Sequence, residues 1–366
     1  MMMGSSQFLI DKMAGGTKSK TSWPLVSVVI LNFNDKEFLQ SCLNSVVESD
    51  YPTFEILLID NGSSDGSVKL IEEMSMNYRC IKLIRNKKNL GPAAGRNIGV
   101  SAAKGKYVAF LDCDTEVDPN WLKEAINVME SDPTVGAAQC KLLLIDQSNK
   151  FDYAGDFLSQ YGFLVQRANF EDTDDGQFDD VVELFSAKSA GMIARRDVLM
   201  NIGGFDEDYF IYVEETDLCW RIWLNNYRVI FIPMSIVYHA FGRKPKLEST
   251  RTKFLSKYHG TKNYITTLIK NFGTWNMIRV LPFHISFWIG IILWFILKRR
   301  LSEAKLVAKG LLYNLTHFRR IWTKRRIIQS SVRKVPDDYF MSSIMRTQPI
   351  TYFYGKITRP SSGWRA

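Results

Sequence analysis

Residues 107–119 read YVAFLDCDTEVDP. Tyr107 to Leu111 is a short apolar run of the kind that forms a buried strand, and it delivers Asp112 and Asp114 just past its end. Two carboxylates two residues apart at such a place can present oxygens to one hard divalent cation. Mg2+ and Mn2+ favour oxygen ligands and commonly bridge a protein carboxylate to a substrate phosphate. The same spacing also makes a capped turn leading into Pro119-Asn120-Trp121, so its neighbourhood has to decide between the two.

Upstream, VSVVIL (26–31) and FEILLI (54–59) are two more apolar strands, and Cys80 to Ile84 is a fourth. Between them a helix is expected with Phe38, Leu39, Cys42, Leu43 and Val46 on one face. A second is expected to be capped by Ser64 or Asp65 and to run to about Met76, and a small-residue helix is expected over 92–103. Strands alternating with helices imply βαβ units and a mostly parallel sheet covered on both faces. Ligands of such sheets bind beyond the carboxyl ends of the strands. Polar clusters stand at three of those ends: Asn32 and Asn34; Asp60 and Asn61; Asp112 and Asp114.

Asp60-Asn61-Gly62-Ser63-Ser64-Asp65-Gly66 is a dense turn signal whose small residues let the chain pass close to a nucleotide, with a carboxylate free to accept from a base N–H. In 89–97, NLGPAAGRN, Gly91 permits close backbone approach, and Arg96 offers either a phosphate contact or a structural ion pair. No GxxxxGK[ST] loop is present and no GxGxxG follows the first strand, which argues against P-loop enzymes and dinucleotide-binding dehydrogenases. Glu214-Glu215-Thr216-Asp217 lies among aromatic residues, where a half-buried carboxylate is suited to general-base work, while exposed acids there would favour a helix dipole instead. His239 follows an apolar run and becomes a metal-ligand candidate only if it meets Asp114. The acidic run 171–180, EDTDDGQFDD, reads as a solvated loop.

In this order VSVVILNFN, LLIDNGSSDGS, NLGPAAGRNIG, YVAFLDCDTEVDP, GGFDEDYFIYVEETDLCWR and VYHAFG, from about Val26 to Gly242, resemble the family 2 glycosyltransferases, and most of all their rhamnosyltransferase-like branch. The resemblance implies a GT-A fold (Rossmann-like, of the nucleotide-diphospho-sugar transferases) and inverting transfer of a hexosyl or deoxyhexosyl group from a nucleoside-diphosphate sugar. It implies that Asn32, Phe33, Asn34, Asp60, Asn61, Ser63, Gly91, Arg96, Asn97 and Asp112 surround the donor. Asp112, Asp114 and His239 would hold Mn2+ or Mg2+. The base would be Glu215, standing where the family usually has the second acid of a Glu-Asp pair, with Glu214 and Asp217 as alternatives. Processive synthases carry QxxRW; here Trp220-Arg221 lacks the Gln, so single transfers are expected. The competing reading is a non-catalytic nucleotide-sugar-binding scaffold on the same fold.

Among 366 residues the net charge is +9, but between Arg243 and Lys334 there are 21 Lys/Arg and two acids. The basic charge therefore belongs to the C-terminal region, whose apolar content favours an anionic membrane surface over nucleic acid. Residues 280–297 form an uncharged apolar helix with basic flanks, better suited to an interfacial or re-entrant position than to a single span. Residues 301–322 pattern as a basic amphipathic helix. The expected layout is a disordered leader (1–23), a catalytic domain (24–245), a membrane-associated region (246–335) and a tail (336–366). The catalytic domain would sit on the cytosolic side of the membrane, with a saccharide or lipid-linked saccharide as acceptor. Five scattered cysteines read as reduced thiols.

Overall fold

A computed structural model describes residues 23–240 and 255–358. The expected leader lies almost wholly outside these residues, and so does the 245/246 boundary.

The first half alternates as expected: β1 (Val26–Asn32), α1 (Lys36–Val47), β2 (Phe54–Asp60), α2 (Ser67–Asn77), β3 (Ile81–Arg85), α3 (Pro92–Ala102), β4 (Tyr107–Asp112), β5 (Thr115–Val117) and α4 (Trp121–Ser131). The second half adds β6 (Val135–Leu144), β7 (Gln147–Tyr153), β8 (Asp156–Leu158), β9 (Leu164–Gln166), β10 (Val182–Glu183), β11 (Met192–Arg195), α5 (Arg196–Asn201), α6 (Glu214–Leu224) and β12 (Arg228–His239). The main sheet runs β10-β12-β6-β11-β4-β1-β2-β3. The β4-β1-β2-β3 block and the β6-β12 pair are parallel, and β11 is antiparallel to both of its neighbours. Every side chain of β1 except Leu31 is buried, which the parallel-sheet reading of its apolar run requires. The last strand is longer than its apolar centre suggested. It continues past Pro233 through a register shift to His239, pairing there with both Thr115 and Leu144. The turn after β2 also differs in detail: Gly66, in the left-handed region at φ 87°, precedes α2, and Asp65 accepts from the Ser67 N–H at 3.0 Å.

Apolar side chains on the two faces of the sheet build two cores. One, with Val28, Ile30 and Leu58, takes α1, α2 and α4. The other, with Val29, Leu57 and Phe110, takes α3, α5 and α6. This second core also includes residues of the C-terminal helices α7 (Gly260–Asn271), α8 (Thr274–Leu297), α9 (Leu301–Thr316), α10 (Phe318–Ile327), α11 (Asp338–Ile344) and α12 (Ile350–Thr358). All twelve residues of α7 are buried.

Two expectations for this region change. The stretch 301–322 is two helices rather than one, broken at His317, where the backbone N–H still bonds Tyr313 O and the ring stacks on Tyr313. The break lets α9 seat its buried Asn314 against α7 while α10 turns toward the catalytic domain. Residues 336–358 of the expected tail pack on the preceding domain: Phe340 stacks on Trp223 with centroids 5.4 Å apart, and the Arg346 N–H donates to Leu158 O at 2.9 Å.

Candidate active site

The three polar clusters meet at the carboxyl edge of the parallel block, because β1, β2 and β4 are adjacent and in register: Asn32 pairs with Asp60 and Leu31 with Asp112. Asn32 Nδ2 donates to Asp60 Oδ1 (2.8 Å) and to Ser63 Oγ (3.0 Å). The other Asp60 oxygen accepts the N–H groups of Gly62 (3.1 Å) and Ser63 (3.0 Å). Asn34 donates its backbone N–H to Ser63 Oγ and accepts from the Ser64 N–H. These bonds lock the two loops into one rigid wall, from which Phe33 and Asn34 emerge. Asn61 is buried and bonds Gly91 O and Asn86, tying the wall to the third motif.

The metal-ligand candidates also converge. One ligand atom from each of Asp112, Asp114 and His239 lies within 4.8 Å of the others. His239 Nε2 is 3.4 Å from Asp114 Oδ1, and its Nδ1 is 2.9 Å from Asp152 Oδ2. Burial opposes the charge on this imidazole, but the Asp114 and Asp152 carboxylates outweigh it and push its pKa up to about 10. Asp152 orients the ring so that Nε2 faces the cluster, the usual arrangement behind a ligating histidine. Two carboxylates and one oriented imidazole suit a hard-to-borderline divalent cation such as Mn2+ or Mg2+. Asp152 was not singled out in the sequence. It reaches the site because β7 runs antiparallel beside β6, and no local motif announces that pairing.

Arg96 joins this cluster to the acids of α6. The buried guanidinium lies 2.9 Å from Asp112, 3.2 Å from Glu214 and 3.5 Å from Glu215. Of its two sequence readings, the geometry favours the ion pair. Glu214 is buried, and burial, then the adjacent Glu215 charge, raise its pKa well above the usual carboxylate range against the pull of Arg96. Glu215 is more exposed than Glu214 and accepts from Ser189 Oγ at 2.6 Å. Asp217 points the other way: it is fully buried and bonded to Arg221, Lys270, Tyr209 and Asn271, so it organises the interior and is no candidate base. Asn97 exchanges two hydrogen bonds with the Phe205 backbone and so anchors a loop. Ser189, like Asp152, was missed; it sits in a short 3-10 turn beside β4.

A parallel block with a nucleotide-sized polar edge, a carboxylate pair and a histidine define the GT-A class of nucleotide-sugar transferase folds. Comparison with known proteins agrees: residues 27–191 match the model of glycosyl transferase family 2. An uncharacterized glycosyltransferase of Haemophilus influenzae is 33% identical over 122 residues, 33% of this chain and 38% of that protein. Glycosyltransferase AglE of Haloferax volcanii is 34% identical over 108 residues, 29% of this chain and 36% of that protein. The matched segment thus spans little more than a third of either relative. Two solved structures share the fold. A Pyrobaculum calidifontis mannosyltransferase, in complex with GDP-Man and Mn2+, has a TM-score of 0.52 at 17% identity, covering 89% of this chain and 91% of that one. S. aureus TarS 1-349, in complex with UDP-GlcNAc, has 0.56 at 18%, covering 83% and 90%.

Proposed function

We propose that this protein is an inverting, metal-dependent glycosyltransferase of polysaccharide biosynthesis, moving one hexosyl or deoxyhexosyl group from a nucleoside-diphosphate sugar to a hydroxyl of a lipid-linked glycan. The observation that carries this is the joining of two chemistries by one residue: Arg96 bridges Asp112, of the cation cluster, to Glu214 and Glu215. The Asn32–Asp60–Ser63 wall binds the nucleoside, with Phe33 and Asn34 beside it. A cation held by Asp112, Asp114 and His239 would neutralise charge on the departing diphosphate. Glu215 takes the proton of the acceptor hydroxyl as its oxygen attacks the anomeric carbon. Ser189 Oγ and Arg96 hold the carboxylate in place, while Glu214 is more deeply buried, and burial with the adjacent Glu215 charge pushes its pKa up. Attack on the face opposite the leaving group inverts the anomeric centre. Two of the neighbouring structures contain a nucleotide sugar, GDP-Man or UDP-GlcNAc, which supports a donor of that class.

The membrane reading gains support from surface chemistry. Ile289, Leu293 and Leu297 of α8, Leu312 and Leu315 of α9 and Trp322 of α10 are exposed, with Lys305, Lys309 and Arg319 among them. The 24 residues of α8 amount to about 36 Å of helix. Yet His284, near its middle, bonds Tyr161 O at 3.0 Å and stacks on Phe163 of the catalytic domain. A spanning α8 would carry that domain's loop into the bilayer core. An in-plane position, apolar face down and catalytic domain in the cytosol, avoids this.

A panel of nucleoside-diphosphate sugars incubated with Mn2+ and a lipid-linked acceptor, with the product's anomeric configuration read by NMR, tests the proposal. Transfer with inversion is expected. Donor binding without transfer or hydrolysis across the panel would favour the scaffold reading instead.

A further inference from the structure

The two acids of the proposed base pair are the first residues of α6, and the loop before them is held in an unusual conformation. Phe210, Tyr212 and Val213 all have positive φ, at 63°, 68° and 68°. Bulky and β-branched residues rarely adopt this region, and three within four residues do not persist without external support. Val213 is also the N-cap of α6, and its carbonyl accepts the first helical bond, from the Asp217 N–H at 2.9 Å. The loop's conformation therefore sets where Glu214 and Glu215 point.

The support comes from α7, well beyond the segment that matches the family. Asn263 Nδ2 lies within hydrogen-bond distance of three loop carbonyls, to which its two N–H groups donate: Tyr209 O (3.1 Å), Ile211 O (2.9 Å) and Tyr212 O (2.7 Å). One turn earlier, His259 Nδ1 is 3.2 Å from Tyr209 O, and its ring stacks on Phe210. One turn later, Thr267 Oγ1 is 2.6 Å from Tyr209 Oη. The Phe210 ring also rests on Gly91, itself at φ 84°, where a Cβ would come within 2.5 Å of the ring. Residues 259, 263, 267 and 271 thus form a polar stripe at four-residue spacing, along which a helix presents one face.

We infer that Asn263 is a positioning residue for the base. Its side-chain amide, the only group among the described residues that spans the Tyr209, Ile211 and Tyr212 carbonyls, holds the loop in its left-handed conformation and so keeps Glu215 beside Arg96 and Ser189. The inference rests on the glycosyltransferase reading of the site. It makes the C-terminal helices part of the catalytic apparatus as well as a membrane support. Without the amide, the loop relaxes toward negative φ, the start of α6 rotates, and Glu215 leaves its place while the Asn32–Asp60–Ser63 wall, held by its own hydrogen bonds, stays.

The test uses full-length Asn263→Ala, Asn263→Asp and Asn263→Gln. The glutamine variant keeps the amide but displaces it by one methylene, and it serves should the others not fold. Two readouts are taken: kcat and donor KM with whichever donor the panel identifies, and hydrogen exchange by mass spectrometry without ligand. The expected result is a kcat at least tenfold lower at a donor KM within about twofold of the parent. Exchange should be faster in peptides covering 209–217 and unchanged in β1 to β4. A kcat at the parent level, or unchanged exchange at 209–217, would overturn the inference. So would exchange that rises equally throughout the chain, since that marks a general packing role. The exchange measurement needs no donor. If the parent protein turns over no donor, the glycosyltransferase reading fails, while the loop result still decides whether Asn263 holds the loop.

Discussion

At Arg96, carboxylates from two distant motifs share one buried guanidinium, and the site's charge balance depends on it. Asp114→Asn removes a ligand and part of the His239 environment without touching the core, so metal-dependent turnover should vanish while the thermal midpoint stays close to that of the parent. Glu215→Gln should lower kcat by about 10²–10⁴ with donor affinity preserved, as measured by transfer rate and by titration with donor. Glu214→Gln, at a buried acid whose pKa burial raises, should cost far less; the reverse order would move the base assignment by one residue. Much of this was legible in the sequence. Asp112, Asp114 and His239 stand at strand ends, and chain order with strand polarity puts such ends on one edge. Asp152 and Ser189 were not legible, because each reaches the site through an antiparallel pairing or a turn that no short motif encodes.

At the scale of elements, the surprise is where the basic charge goes. A count of 21 Lys/Arg against two acids between Arg243 and Lys334 suggested a surface for an anionic partner. Periodicity gives a helix its faces but not the neighbour each face meets. In the structure Lys270 pairs with Asp206 and Asp217, Lys324 with Asp206 and Asp208, and Arg320 with Asp208, so α7 and α10 clamp the 206–208 segment and the start of α6. Lys270 is almost fully buried, and Lys270→Met, which leaves Asp206 with Lys324 alone and Asp217 with Arg221 alone, should destabilise the fold by up to about 3 kcal/mol, as measured by urea unfolding. Burial, the largest influence, would raise the Asp206 and Asp217 pKa values; the ammonium of Lys270, with Lys324 or Arg221, outweighs it and holds both below the usual 3.8. A depressed carboxyl pKa gives stability that is present above the unfolded value and lost as pH falls. The thermal midpoint should therefore drop as pH is lowered through about 4, and Lys270→Met should start from a lower midpoint at neutral pH and fall less steeply over the same range.

For the whole molecule, the catalytic sheet and the C-terminal helices share one core, so cutting the chain after residue 272 would strip Arg325 from the Ile269 and Phe272 carbonyls and uncover Trp223. Substitutions on the exposed face are a cleaner probe of membrane attachment. Replacing Ile289, Leu293, Leu312 and Leu315 with Glu should weaken binding to phosphatidylglycerol-containing vesicles by more than about 100-fold, since each buried aliphatic side chain contributes about 1.5–3 kcal/mol. Unchanged sedimentation with vesicles would place the membrane contact elsewhere. The central claim, a cation held by Asp112, Asp114 and His239 for use with a nucleoside diphosphate, is tested most directly by Mn2+ titration followed by electron paramagnetic resonance, with UDP and GDP present. The account predicts one Mn2+ per chain, its affinity raised by the nucleotide, and loss of that site in Asp114→Asn. An Asp114→Asn protein that binds Mn2+ as tightly as the parent and still transfers sugar would contradict it.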